Sequence, residues 1–406
     1  MSKLEKILLG ANIFLYSFLA IFSYSYVDLN LTLSQNPSVN SFVKTMQQLG
    51  YYHRPQATLI YLILIISAFS FFIFHLWLFY KSRIGLKYLT ISTLINTLIL
   101  IFAYPFLSSD LFNYLFDAKI ILKYRANPYT HMALDFPNDP WLRFMRWVHR
   151  YSPYGPLWLI LSLIPAILGF GKFILNLLTF KIFIAFFHLV NSYLILKTLN
   201  KINPKVAFFG TAFYALNPLF LIEGVVNAHN DVFLATFLLA SIYFWITARR
   251  LWSYLFLIFG TFIKYIPILN LPILLFFSLY PKTRYSKKMD RVNWFILANL
   301  IIMTIFTYLF SSFRITVPFV SSGATQVQFQ PWYLFWTLPF ISLLTNPYLT
   351  ILAIVFSIGS SLRYLPYLYY GDWSQPYTIP FMQLVTVILP IIIFLLIIIG
   401  KKFSQK

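Results

Sequence analysis

Residues 88–117 read YLTISTLINTLILIFAYPFLSSDLFNYLFD. Residues 88–107 carry no charge, and their length matches the roughly 20 residues an α-helix needs to cross a bilayer. The run is continuous instead of alternating, which predicts a helix and not a barrel strand. Ser108, Ser109 and Asp110 follow directly, and Asp117 comes seven positions later. An ionised carboxylate near hydrocarbon costs several kcal/mol or more, so an apolar chain avoids it. Only ten acidic residues serve all 406 positions. Four of them sit at the ends of apolar runs, here and in Glu223-Gly-Val-Val-Asn227-Ala-His229-Asn230-Asp231. Carboxylates kept at a membrane boundary point to chemistry or transport.

The same kind of run recurs along the chain. Sixty per cent of the residues are hydrophobic and a tenth are charged, a balance no soluble domain of this size shows. The fold class is therefore an all-α, polytopic membrane protein. A formal charge of +21 invites a nucleic-acid partner. The Lys and Arg residues instead flank apolar runs, as the positive-inside rule requires, and leave no room for a nucleic-acid-binding fold. The chain has no Cys, so disulfide and thiolate chemistry are excluded. The run 7–26 lacks a small-residue cleavage site and reads as a retained first span. The many Tyr and Phe residues suit interfacial belts and sugar-stacking surfaces equally.

Basic loops set the threading. Lys3 and Lys6 place the N-terminus inside, followed by spans at about 7–26, 56–80 and 88–107. Residues 108–153 then form a first large external loop. Counting 154–171 as a full span would put Lys197, Lys201 and Lys205 outside, so this segment, with Pro156 and Pro165, is expected to be a re-entrant hairpin. Spans at 173–197, 205–222 and 231–247 follow. The run 251–280 returns to the side it left, as a pair of short helices turning near Lys264, and reaches a basic loop that begins at Lys282. Spans at about 292–311, 332–346, 347–361 and 381–400 complete a count of about twelve, in a single transmembrane domain over 1–406 with both termini cytoplasmic.

Beyond Asp110, apolar residues at helical spacing, with Lys119, Lys123 and Arg125 on the polar side, predict an amphipathic helix lying in the interface. Asp110 either caps that helix or takes a proton from a substrate hydroxyl, and the two roles are compatible. Asp117 either pairs with Lys119, Lys123 or Arg125 or joins the substrate site. Asn127-Pro128-Tyr129 signals a turn. Tyr151-Ser-Pro-Tyr154-Gly155-Pro156 predicts a rigid loop whose Tyr rings suit sugar faces or anchor at the interface. Asn227, His229 and Asn230 both donate and accept hydrogen bonds, as carbohydrate hydroxyls require. Asp231 caps the next span, and a metal pair of His229 and Asp231 has too few ligands to be favoured. Lys264, alone in an apolar run, either snorkels or pairs with an anion, which is a carboxylate or a lipid phosphate. Gln330 and Trp332 are candidates to line the same outer cavity.

In order, Ser108-Ser109-Asp110, Asn127-Pro128-Tyr129, Tyr154-Gly155-Pro156, Asn217-Pro218, Asn227 to Asp231, Lys264 before prolines and Gln330-Pro331-Trp332 resemble the polytopic GT-C glycosyltransferases that use polyprenyl-phosphate sugars. Over about residues 88–345 the chain is most similar to bacterial polyprenol-phosphomannose-dependent α-mannosyltransferases, and more distantly to the first mannosyltransferase of GPI-anchor assembly. The resemblance implies a GT-C helical bundle in the cell membrane, with an outer-face loop carrying interfacial helices and an extracytoplasmic site. It implies an inverting transfer of a hexose, mannose in these relatives, from a polyprenyl phosphate to a glycan or glycolipid acceptor. Asp110 maps onto the base. From the residues themselves, Asp117, Tyr129, Tyr154, Asn227, His229, Asn230, Asp231, Lys264, Gln330 and Trp332 are the candidates for the substrate site, and Lys264, Arg146 and Arg150 those for the phosphate. Some relatives carry two acids two apart where this chain has Asp110 alone, which weakens a metal site, and lipid-monophosphate donors imply no metal cofactor. A transporter or flippase of lipid-linked glycans, the same fold with another sugar, and a scaffold subunit are the rival readings.

Overall fold

The computed structural model describes residues 1–280, 288–310 and 329–404. The expected basic loop from Lys282 falls outside these residues as far as 287. Among the described residues every regular element is helical. Six helices among the described residues are long and apolar enough to cross a membrane: Lys3–Tyr26, Arg54–Tyr80, Phe173–Ile202, Asp290–Thr307, Pro347–Tyr370 and Thr378–Gly400. A seventh arises if Pro204–Ala215 and Pro218–Val226, bent by 45°, form one broken span. Asn217 sets that break: its side chain accepts the Leu219 N–H at 3.0 Å, and Pro218 opens the next turn.

The described residues thus do not reach the expected twelve spans. Apolar runs counted as crossings form shorter helices, among them Leu86–Ile101, Asp231–Ile246 and Pro331–Leu344. A run is apolar whether lipid or protein surrounds it, and in the last of these protein does: every residue from Leu334 to Leu343 is buried. The centre of the fold is the stretch Gly210 to Thr236, buried without interruption.

Helix Leu86–Ile101 stops short of the expected 107. Pro105 cannot continue it. The buried Lys181 Nζ, from Phe173–Ile202, donates to the Leu100 carbonyl at 3.0 Å and to that of Ala103. A donor on the last carbonyls of a helix satisfies orphan acceptors. The chain beyond is pinned twice, by Tyr104 N–H to Ser23 Oγ at 2.8 Å and by Leu107 N–H to Asn227 Oδ1 at 3.2 Å. These bonds fix where Asp110 begins the next helix.

That helix, Asp110–Leu122, exists as the periodicity predicts, but it does not lie on a surface. Leu111, Phe112, Tyr114, Leu115 and Phe116 are all buried, covering more than one face, and the helix packs against Pro156–Leu168 and Phe173–Ile202. The run 251–280 breaks where expected, into Arg250–Thr261, Ile266–Asn270 and Leu271–Leu279, with Lys264 in the break. Gly155 N–H bonds to the Ile263 carbonyl and Leu157 N–H to that of Phe262, each at 2.9 Å, so two distant loops are stitched side by side. A Cβ on Gly155 would lie 2.1 Å from the Phe262 carbonyl oxygen, which is why glycine stands between Tyr154 and Pro156.

Candidate functional site

The two carboxylate clusters meet. Residues Leu221–Val226 wind as a π-turn, a form enriched at functional sites. Ala228 then takes a left-handed backbone, φ 56°, and turns the chain so that His229 lies back over Glu223. His229 Nδ1 is 3.4 Å from Asp110 Oδ2, and its Nε2 is 3.4 Å from Glu223 Oε2. Neither ring nitrogen makes an aligned hydrogen bond, so these are charge contacts. Trp332 stacks on the imidazole with ring centres 3.9 Å apart. Glu223 is held in turn, accepting from Tyr364 Oη at 2.9 Å and from Asn227 Nδ2 at 3.0 Å. Burial alone would pull the His229 pKa down, but the Asp110 and Glu223 carboxylates outweigh it and carry it up to about 9.

Asp231 and Lys264 form a second, adjacent unit. Lys264 Nζ stands 2.6 Å from Asp231 Oδ2, and Trp336 Nε1 donates to Asp231 Oδ1 at 2.6 Å. Of the anions expected for Lys264, the protein's own carboxylate is the partner found. Asn230 links the units, since its N–H donates to Tyr114 Oη at 3.4 Å and its Oδ1 accepts from that hydroxyl at 3.3 Å. His229 and Asp231, weighed as a metal pair, turn to different partners.

Asp110 opens onto a cavity of about 820 Å³. Four arginines line it, Arg54, Arg143, Arg146 and Arg363, against only two acids, Asp28 and Asp110. Gln330 and Trp332 contribute, as expected, and Arg146 donates to Tyr367 Oη at 3.2 Å. Lys264 and Arg150 do not line it; Arg150 lies over the Trp147 ring, 4.3 Å from its centre. The lining therefore carries a surplus of positive charge, four guanidinium groups against two carboxylates.

The other singled-out residues sit behind that wall. Tyr129 donates its hydroxyl to the Tyr154 carbonyl at 2.7 Å, bracing the loop stitched to residues 262–263. The Tyr154 ring packs edge-on against Tyr114, and Lys264 lies 5.9 Å from its centre. Asp117 does not pair with Lys119 or Lys123, because both turn to Asp139, at 2.7 and 3.6 Å. Residues two apart on a helix face different ways, and Asp117 faces the interior. Burial pushes its carboxyl up to about 7, with the Ser152 hydroxyl acting the other way.

Sequence reasoning missed Arg54, Arg363 and Tyr364 as site residues. Arg54 and Arg363 flank apolar runs like many other basic residues of the chain, and no local pattern joins Tyr364 to Glu223, 141 positions away.

A family model described as alpha-(1->6)-mannopyranosyltransferase, N-terminal domain, of the MptA_B family, matches residues 24–279, more than half of the chain. The chain belongs to this family. It is a membrane mannosyltransferase of bacterial type. No curated protein and no solved structure matches it. In this mannosyltransferase the matched region holds Asp110, Glu223, His229, Asp231 and Lys264, while Trp332, Arg363 and Tyr364 come from beyond it.

Proposed function

We propose that this mannosyltransferase moves mannose from a polyprenyl-phosphate donor to a hydroxyl of a glycan or glycolipid on the extracytoplasmic face of the cell membrane, with inversion, on a GT-C type scaffold. One observation carries the reading: Asp110, in contact with the buried His229, opens onto a chamber lined by four arginines. The arginines, Arg146 foremost, receive the donor phosphate, and the Trp332 ring offers a sugar-stacking face. This shifts the phosphate from Lys264 and Arg150, since Asp231 already neutralises Lys264. The acceptor oxygen attacks the anomeric carbon, its proton passes to Asp110, and the bond from that carbon to the phosphate oxygen breaks. Polyprenyl phosphate leaves as an anion. The transition state resembles an oxocarbenium ion, as in glycoside hydrolysis. Guanidinium charge at the leaving phosphate does the work a general acid would otherwise do.

The test is purified protein in vesicles, given labelled polyprenyl-phosphate mannose and a mannoside acceptor. Label in the acceptor supports the proposal. Movement of the lipid between leaflets without transfer would assign the protein to lipid-linked glycan transport, and transfer only with another polyprenyl-phosphate sugar would correct the donor.

A further inference from the structure

Between Asp110 and Glu223 lies a histidine shut away from the surface. His229 is fully buried, 3.4 Å from each carboxylate, and clamped flat by Trp332 at 3.9 Å. The far carboxylate is itself anchored by Tyr364 at 2.9 Å and Asn227 at 3.0 Å, and Asn227 also holds the Leu107 N–H just ahead of Asp110. One polar chain therefore runs from Tyr364 through Glu223 and His229 to the carboxylate that faces the chamber. The geometry points to Glu223 and His229 as positioning residues: a cation clamped between two carboxylates that orients the base of the transfer reaction, and not a ligand of substrate. The inference rests on the reading of Asp110 as that base.

A buried cation beside one carboxylate would be a pair, whereas a second carboxylate, anchored from behind, keeps the imidazole charged. A charged imidazole accepts no proton, so the acceptor's proton stops on Asp110 and leaves from there into the chamber. The charged and titratable groups around His229 are few. Asp110 faces it from helix Asp110–Leu122 and Glu223 from the π-turn, with Trp332 covering the ring. Behind Glu223 stand Tyr61, Tyr364 and Arg363. On the histidine's own segment Asp231 is paired with Lys264. Removing Glu223's charge is thus the cleanest way to loosen the proton on His229.

The experiment is the pH dependence of mannosyl transfer by the full-length protein and its Glu223→Gln and His229→Gln variants, with polyprenyl-phosphate mannose as donor. In the wild type kcat should fall as pH rises through about 9, where His229 loses its proton. In Glu223→Gln that fall should begin about one pH unit lower or more, since a neighbouring opposite charge is worth roughly one to three units. His229→Gln should lose about tenfold or more in kcat at pH 7, with the donor KM within about twofold, and should show no fall near pH 9. Should His229→Gln not fold, the Glu223→Gln profile decides alone. An unmoved alkaline fall in Glu223→Gln, or donor KM rising in place of kcat falling, overturns the inference. Full activity of Asp110→Asn sinks the reading of Asp110 instead, so the two failures are distinct.

Discussion

Asp110 and Asp117 sit two turns apart on one helix in opposite surroundings. Asp110 opens onto the chamber, whereas Asp117 is buried with its Oδ2 unpartnered. A carboxyl whose folded pKa is raised to about 7 binds more protons in the folded state than in the unfolded state between roughly pH 4 and 7. Its contribution to stability therefore falls as pH rises through that window and levels off above it. Asp117→Asn removes the penalty, so its Tm relative to wild type should climb from pH 4 to 7, reaching a gain of about 2 °C or more. A Tm difference that stays flat with pH contradicts this account of Asp117. The scarcity of acids made residues 110 and 223–231 legible in the sequence as one site. What stayed hidden is which partner each takes. Lys264 was legible as a cation needing an anion, but Asp231 lies 33 positions away in another element. Asp139, which claims Lys119 and Lys123, gave no signal at all, because its position depends on how the loop after Tyr124 folds.

The elements were legible where composition alone decides them. The six long helices are predominantly apolar over about 18 residues or more, and length identifies such segments. For the shorter ones composition does not separate a run packed inside protein from one facing lipid, and the buried stretch Leu334 to Leu343 is an instance. Turn residues did better. The Tyr154-Gly155-Pro156 loop was expected to be rigid, and its rigidity is a pair of backbone bonds to residues 262 and 263. Gly155→Ala forces a methyl into the Phe262 carbonyl, so it should cost about 1–3 kcal/mol and lower the Tm. It should also displace the segment that carries Lys264. An unchanged Tm for Gly155→Ala would show that the two loops can part without cost.

At the scale of the whole molecule the chamber joins both ends of the chain. Arg54 opens the second long helix, Arg143 and Arg146 belong to the segment after Asp139, and Arg363 ends the stretch Pro347–Leu362. An arginine that holds the donor phosphate acts on binding. Arg146→Gln should therefore raise the donor KM about tenfold while leaving kcat within a few-fold, the loss expected for one charged hydrogen bond. An unchanged KM places the phosphate elsewhere. Sidedness has its own test, since the chain has no native cysteine. Single substitutions at exposed positions, His131→Cys on the loop after Asp110 and Arg249→Cys at the far end of helix Asp231–Ile246, should be labelled from outside and inside respectively by a membrane-impermeant maleimide. Labelling of both from one side would break the proposed threading.

The most direct measurement is the rate of mannose transfer from labelled polyprenyl-phosphate mannose by wild-type protein and by Asp110→Asn, at saturating donor and pH 7. With Asp110 as the group that takes the acceptor's proton, the variant should lose about 10²-fold or more in kcat while still binding donor. Transfer by Asp110→Asn at the wild-type rate would contradict the account.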